Sequence, residues 1–304
     1  MNKKAQLEKV LNDLRNLTGI TFQVDTEDEV AMDAAIGQIM QLTSAYKEKY
    51  NKASFIQNLL MDNVLHMDMY NRAKKFHIDA EVSRIVFIVE TEEENDEAAL
   101  ETMKHLFRSK NGDYVVAIDT RSIALVKQVE DDVADEDIKD VAKMIVDMVN
   151  AEAMSKIRVS YGNPSEKLDE LSRSYKEARM ALEVGRIFYA EQTIIPYGRL
   201  GIGRLIYQLP IPLCKMYLKE VFGDKLPDTF DDETITTINI FFDNNLNISE
   251  TARQLYVHRN TLVYRLEKLQ KQTGLDIRVF DDALTFKIAT MVASYMKFMK
   301  EDIE

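Results

Sequence analysis

Residues 247–274 read NISETARQLYVHRNTLVYRLEKLQKQTG, which is two short helical patterns separated by a tight turn. Asn247 or Ser249 can cap the first helix, whose inward-facing side chains recur at helical spacing. These side chains are Ile248, Ala252 and Leu255. Val257 follows in the turn, and His258 stands at the cap position of the second helix. This pattern predicts a helix-turn-helix, in which the second helix enters the major groove of DNA.

The second helix has an apolar stripe on one side and polar residues on the other. The stripe consists of Leu262, Leu266 and Leu269. Arg259 projects from the first turn, where a guanidinium can contact guanine through two hydrogen bonds. Asn260 and Tyr264 can reach bases or the DNA backbone. Three further side chains suit phosphate contacts: Thr261, Arg265 and Lys268. An ordinary helical hairpin with a solvated basic face has the same spacing, so spacing alone leaves both interpretations open.

Positive charge is concentrated in this part of the chain. The whole chain has 304 residues and a formal net charge of −12, which disfavours binding to a polyanion. Between Ser249 and Arg278, however, six Lys and Arg residues stand against three acidic residues, a local charge of +3 that leaves −15 on the remainder. A small positive module on an acidic body is expected of a protein that touches DNA through one domain.

Residues 241–284 resemble the C-terminal DNA-binding domain of the PucR and CdaR regulators. The resemblance rests on Ser-x-x-Ala, on His-Arg-Asn-Thr-Leu after a hydrophobic residue, on Tyr-Arg-Leu and on Thr-Gly-Leu-Asp. A more distant likeness is to the Fis-type helix-turn-helix. The resemblance implies a sequence-specific transcription regulator that binds double-stranded DNA. Together with the chemistry above, it gives the expected DNA-binding residues: Ser249, His258, Arg259, Asn260, Thr261, Tyr264, Arg265 and Lys268.

The middle of the chain alternates strand-like and helical patterns in the order βαββαβα. The strand-like runs are VSRIVFIV (82–89), DYVVAI (113–118), SIALVKQV (122–129) and KIRVSY (156–161). The helical patterns between and after them include 135–154 and 165–188, and the order is that of a ferredoxin-like fold with one added helix. VSYG (159–162) and SYKEARMALEVGR (174–186) resemble the closing strand and helix of a GGDEF-like domain. The fold class predicted for the whole chain is therefore α+β.

The sequence contains no constellation of catalytic or metal-binding residues. A diguanylate cyclase needs a Gly-Gly-Asp/Glu-Glu-Phe hairpin to hold nucleotide and magnesium, and residues 119–122 read Asp-Thr-Arg-Ser instead. The single cysteine, Cys214, lies in an apolar setting typical of a buried thiol. The four histidines have no metal-ligand spacing. We therefore expect no enzyme activity, no metal and no cofactor.

Apolar residues near the N-terminus follow alternating steps of four and three over residues 27–60, the period of a coiled-coil seam. The seam positions are Met32, Ile36, Ile39, Thr43, Tyr46, Tyr50, Ala53, Gln57 and Leu60. One interpretation is a long helix that joins two copies of the chain into a homodimer. The other is a long helix that packs on its own chain.

Four regions are predicted from these patterns: an N-terminal helical or dimerisation region (1–78), a degenerate GGDEF-like domain (80–192), a connector (193–228) with a short helix near 213–221, and an all-α DNA-binding domain (229–304). With no apolar run of about 20 residues and no signal peptide, we expect a cytoplasmic protein that avoids membranes. We expect a homodimer that responds to a small-molecule effector. The alternative function is a ligand- or nucleotide-binding protein whose C-terminal helices contact other proteins.

Overall fold

The computed structural model describes residues 3–18, 21, 22, 24, 29–107, 112–223 and 231–301. These residues form two compact units. The N-terminal unit comprises residues 1–182 and 193–198, and the C-terminal unit comprises residues 183–192 and 199–304. No helix within the described ranges is long and apolar enough to cross a membrane.

The N-terminal unit begins with four helices. They are α1 (Lys3–Thr18), α2 (Glu29–Tyr50), α3 (Lys52–Leu60) and α4 (His66–Lys75). The break between α2 and α3 lies at Asn51, whose side chain caps α3 by accepting a hydrogen bond of 3.0 Å from the backbone N–H of Ala53. The single helix predicted over residues 27–60 is therefore wrong, because the chain ends one helix and caps a second at this point.

The first part of the predicted coiled-coil seam packs within the chain, whereas the side chains of Tyr46 and Tyr50 lie outside the described part of the structure. Ile36 on α2 is buried against Leu7 and Val10 on α1, and Met32 and Ile39 pack against the same cluster. Beyond the break, α3 buries a different set of side chains in the core of the unit: Phe55, Ile56, Leu59 and Leu60. The steps of four and three mark a helix that packs against another helix, and for α2 this helix is α1 of the same chain.

A five-stranded sheet forms the centre of the N-terminal unit. Its strands are β1 (Arg84–Thr91), β2 (Tyr114–Ala117), β3 (Ser122–Gln128), β4 (Ile157–Tyr161) and β5 (Ile194–Pro196). Their order across the sheet is β2-β3-β1-β4-β5, antiparallel except for the parallel pair β4–β5. Three helices accompany them: α5 (Glu97–Leu106), α6 (Asp135–Glu152) and α7 (Leu171–Phe188). The predicted βαββαβα order and α+β class are confirmed, and β5 is an addition at the edge.

Both faces of the sheet are covered. On β1, Ile85 and Phe87 pack with α5 and α6, whereas Val86 and Ile88 pack with α3, α4 and the first part of α7. Alternate side chains of a strand point to opposite faces, so a central strand buried on both sides is apolar throughout. This burial explains why the run VSRIVFIV predicts a strand without showing polar alternation.

Six helices lie wholly within the described part of the C-terminal unit. They are α8 (Ile202–Tyr207), α9 (Ile211–Phe222), α10 (Asp232–Asp243), α11 (Ile248–Gln254), α12 (Arg259–Thr273) and α13 (Phe280–Glu301). The short helix predicted near 213–221 corresponds to α9. The predicted connector also contains β5 and α8, which the sequence did not predict. Cys214 is buried in the core of this unit, and burial raises the pKa of its thiol.

Candidate nucleic-acid interface

Side-chain caps fix where α11 and α12 begin. The Asn247 side chain accepts hydrogen bonds from the backbone N–H groups of Ser249 (3.0 Å) and Glu250 (3.1 Å). The His258 Nδ1 atom accepts one of 3.2 Å from the backbone N–H of Asn260. Each cap supplies an acceptor to an N–H group that has no partner inside its helix. Of the two candidate caps for the first helix, the structure therefore uses Asn247.

The buried stripe on α12 holds the domain together. Leu262, Leu266 and Leu269 are buried, as predicted, in a cluster that includes Ala252 of α11 and Phe241 of α10. Ala252 is small, which allows α11 and α12 to pack closely. Phe241, fully buried, was not identified from the sequence because α10 has no motif of its own. Its burial means that α10 supports the helix-turn-helix.

Seven of the eight predicted DNA-binding residues are exposed on the surface of this domain. They are Ser249, His258, Arg259, Asn260, Thr261, Tyr264 and Lys268. They lie on α11, at the cap of α12 and on the exposed surface of α12. An exposed helix surface of this kind, beginning at a capped N-terminus, has the shape that can enter a major groove.

The six basic residues counted between 249 and 278 divide into two groups. Arg253, Arg265 and Arg278 each pair with a carboxylate of the same unit. Within the described part of the chain, the other three form no ion pair: Arg259, Lys268 and Lys271. These three cations are the ones left to contact DNA, since a paired guanidinium would first have to leave its carboxylate.

Arg278 stabilises the C-terminal end of α12. Its guanidinium donates hydrogen bonds to Asp276 (2.7 and 2.8 Å) and to the side chain of Gln270 (3.0 Å). The hydrogen bond from Arg278 is the main cause that lowers the pKa of the Asp276 carboxyl. Arg278 therefore stabilises the turn that follows Gly274 and contributes little free charge to the surface.

The hairpin between β2 and β3 reads Asp-Thr-Arg-Ser at residues 119–122, in place of the Gly-Gly-Asp/Glu-Glu-Phe motif that a cyclase requires. Asp119 pairs there with Arg179 of α7 at 3.3 Å, and Arg121 pairs with Glu94 at 3.2 Å. Among the described residues, no group of three or more His, Cys, Asp or Glu side chains could hold a metal ion. Ion pairs within the protein thus engage the charged groups of this hairpin.

Two family models match the chain, one on each unit. Residues 234–292 match the PucR C-terminal helix-turn-helix domain, and residues 62–184 match a GGDEF-like domain. The chain therefore carries a PucR-type helix-turn-helix domain together with a GGDEF-like domain. The resemblance inferred from residues 241–284 is thereby confirmed, and so is the GGDEF-like assignment of the βαββαβα region.

Several regulators share sequence with this chain. The purine catabolism regulatory protein of Bacillus subtilis is 29% identical over 140 residues, covering 45% of this chain and 26% of that protein. The carbohydrate diacid regulator of Escherichia coli is 25% identical over 237 residues, 71% of this chain and 59% of that protein. The proline-responsive transcriptional activator PutR of Bacillus subtilis is 31% identical over 130 residues, covering 41% of this chain and 31% of that protein. This chain spans less than two thirds of the length of each.

Arg265 is less exposed than the other predicted DNA-binding residues, and it is bound within the protein. Its side chain is 25% exposed, and its guanidinium lies 2.5 Å from the carboxylate of Glu233 and donates to the hydroxyl of Thr237 at 3.3 Å. Both partners lie on α10. The side chain therefore ties α12 to α10, a role that depends on how two helices pack and that no local motif signals.

Lys268 also lies near the start of α10 but makes no ion pair there within the described residues. The pKa of the Asp231 carboxyl is lowered chiefly by its hydrogen bonds with Thr234, and Lys268 and Arg265 add smaller electrostatic contributions. Lys268 is exposed, so its ammonium group remains available to an external anion.

We expect Arg265→Met to lower the free energy of unfolding of the C-terminal unit by about 1 kcal/mol, because the pair with Glu233 is partly exposed and screened. Lys268→Met is the matched control and should change it by less than about 0.5 kcal/mol. The free energies of unfolding of both variants are measured by urea unfolding, which is followed through the hydrogen exchange of the α12 amides. Equal stability of the two variants would mean that Arg265 does not tie α12 to α10.

Proposed function

We propose that this chain is a cytoplasmic transcription regulator that binds double-stranded DNA in a sequence-specific manner through α12. The observation that supports this proposal best is the exposed surface of α12, with three cations that form no ion pair within the described residues. On an acidic chain, unpaired cations concentrated on one exposed helix favour an anionic partner at that place. The relatives named above are regulators by their own descriptions.

We also propose that the chain binds as a homodimer, because helix-turn-helix proteins commonly read two half-sites one helical turn apart. Of the side chains predicted for the dimer seam on α2, Met32, Ile36 and Ile39 contact α1, so we assign the dimer interface to none of these three. The descriptions of the relatives name purines, carbohydrate diacids and proline. A small-molecule effector is therefore part of the proposal, while its chemical identity is not inherited from the family.

Salt dependence tests the proposal directly. Binding sites are first selected from random double-stranded DNA with the full-length protein, and the dissociation constant is then measured between 50 and 200 mM salt. Two phosphate contacts, from Lys268 and Lys271, on each of two subunits give an expected slope of about −4 in log K against log salt. Sedimentation of the complex gives the number of subunits per site. Binding that is equal on selected and scrambled DNA, or independent of salt, would contradict the proposed function.

We expect the GGDEF-like domain to make no cyclic dinucleotide. Its β2–β3 hairpin lacks the required glycines, and the Asp119 carboxylate there pairs with Arg179 and accepts the backbone N–H of Arg121 at 2.9 Å. Incubation of the pure protein with GTP and magnesium, followed by chromatography, is the measurement, with an active cyclase as positive control. Cyclic di-GMP above the background of a no-protein sample would overturn this expectation.

A further inference from the structure

The turn between α11 and α12 contains a residue that the proposed DNA interface does not yet use. Helix α11 ends in a Schellman motif, in which the backbone N–H of Val257 donates to the carbonyl of Ala252 (3.0 Å) and that of Tyr256 donates to the carbonyl of Arg253 (3.2 Å). Tyr256 takes the left-handed position of the motif, with φ of 55°. Glycine is favoured there because a Cβ atom crowds the backbone.

Other helix ends of the same unit show what is normally placed at this position. Asn245 (φ 51°) follows α10 and Gly274 (φ 83°) follows α12, and both residue types tolerate the left-handed region. Leu246 (φ 63°) tolerates it less well, but its side chain packs against the core of the unit. Packing inside the protein thus accounts for the left-handed backbone conformation of Leu246.

Tyr256 has no comparable packing within the described part of the protein. Its side chain is 96% exposed, and no residue in the described ranges bonds to it. Left-handed strain does not by itself mark a site, since Met154 in the N-terminal unit has φ of 54° and is 90% exposed. The position of Tyr256 distinguishes it, because an aromatic ring with an O–H donor stands two residues before the cap of α12.

The neighbouring cap also leaves a donor facing outward. Because the Nδ1 atom of His258 accepts the N–H of Asn260, the neutral imidazole carries its proton on Nε2. His258 is exposed, so an external acceptor can reach its side chain. Tyr256 and His258 therefore both present donors beside the first turn of α12, where phosphate oxygens flank a helix inserted in the major groove.

We propose that Tyr256 is a further DNA-contacting residue, whose hydroxyl donates to a backbone phosphate and whose ring lies on the adjoining sugar. This inference rests on the proposed function. It adds a residue outside the predicted DNA-binding set, and its contact is with the sugar-phosphate backbone, so it adds affinity without sequence preference.

Two substitutions in the full-length protein test the proposal on selected double-stranded DNA. Tyr256→Gly removes the side chain and the backbone strain, so the thermal midpoint should stay within about 2 °C of the wild type or rise. Tyr256→Phe keeps the ring and removes the hydroxyl. Each variant should weaken DNA binding by about tenfold or more, on selected and scrambled sequences alike. The combination of unchanged or higher stability with weaker binding is not expected of a structural residue.

Met154→Gly is the matched control, because it relieves the same backbone conformation at an exposed residue of the other unit and should leave DNA affinity unchanged. Wild-type affinity in either Tyr256 variant overturns the proposal, as does a thermal midpoint of Tyr256→Gly more than about 5 °C below the wild type. These results leave the proposed function intact if the wild-type protein still binds selected DNA with a steep salt dependence. Failure of the wild-type protein to bind DNA overturns both.

Discussion

Gly162→Ala is expected to unfold the N-terminal unit under conditions where the wild-type protein is folded. Gly162 directly follows β4, and a Cβ atom added there would lie 2.1 Å from the carbonyl oxygen of Ser174 on α7. Atoms in proteins do not approach so closely, so α7 or β4 would have to move. We expect a loss of more than about 3 kcal/mol in the free energy of unfolding.

Neither element can move easily. Ser174 is fully buried, and its hydroxyl accepts a hydrogen bond of 3.1 Å from the backbone N–H of Val86 in the central strand β1. The same stretch of α7 buries Leu171, Tyr175 and Ala178 against the sheet. A shift of α7 would disrupt this packing together with the hydrogen bond, so the clash cannot be relieved by rotating one side chain.

Gly198→Ala provides the control for Gly162→Ala. A Cβ atom at Gly198 would meet only the side-chain oxygen of Asn163, at the ordinary distance of 3.9 Å. We expect this variant to unfold within about 0.5 kcal/mol of the wild type. Hydrogen exchange of the β1 and β4 amides, measured alongside circular dichroism, assigns the loss to this unit. Wild-type exchange rates in Gly162→Ala would show that β4 and α7 do not approach as closely as described.

The sheet was largely predictable because four of its five strands, β1 to β4, have a local signal. The β1 run is apolar along its length, and the runs that became β2, β3 and β4 are rich in β-branched and aromatic residues. The edge strand β5 has three residues, Ile194–Pro196, which is too short to show any period. It is held by parallel pairing with β4, so its existence depends on a partner more than 30 residues earlier.

The N-terminal helices show a second limit. Helical periodicity identifies the side of α2 that is buried, but it carries no information on whether the partner is α1 or another copy of the chain. The cap at Asn51 does have a local signal, because Asn commonly precedes a helix. That signal was hidden by the continuous helical spacing on both sides of it.

In the DNA-binding domain, the elements that sequence could place are those governed by neighbours along the chain. The caps at Asn247 and His258 and the leucine stripe of α12 all follow from local spacing. Arg265 was expected to contact phosphate, and its pairing with Glu233 could not be anticipated because the two residues are 32 positions apart on different helices. Tyr256 was missed although a signal exists, since a helix C-terminus followed by a tight turn usually requires glycine there.

Arg259→Ala is expected to have the largest effect on sequence-specific DNA binding. Arg259 lies in the first turn of α12, is exposed, and forms no ion pair within the described part of the chain. If its guanidinium reads guanine, its removal should cost about 1 to 3 kcal/mol per half-site and should flatten the preference at one base position. Folding should remain intact, because the buried stripe of α12 does not include it.

Lys268→Ala separates base reading from phosphate binding on the same helix. The Lys268 ammonium is a point charge without a fork of donors, so its removal should weaken binding to selected and scrambled DNA by a similar factor. The slope of log K against log salt should become less steep by roughly one for each phosphate that the variant no longer neutralises. Arg259→Ala should instead weaken binding to selected DNA far more than binding to scrambled DNA. Binding is measured for both variants across a panel of single-base substitutions in the selected site. An unchanged base preference in Arg259→Ala, or an unfolded C-terminal unit, would refute the placement of the first turn of α12 against the bases.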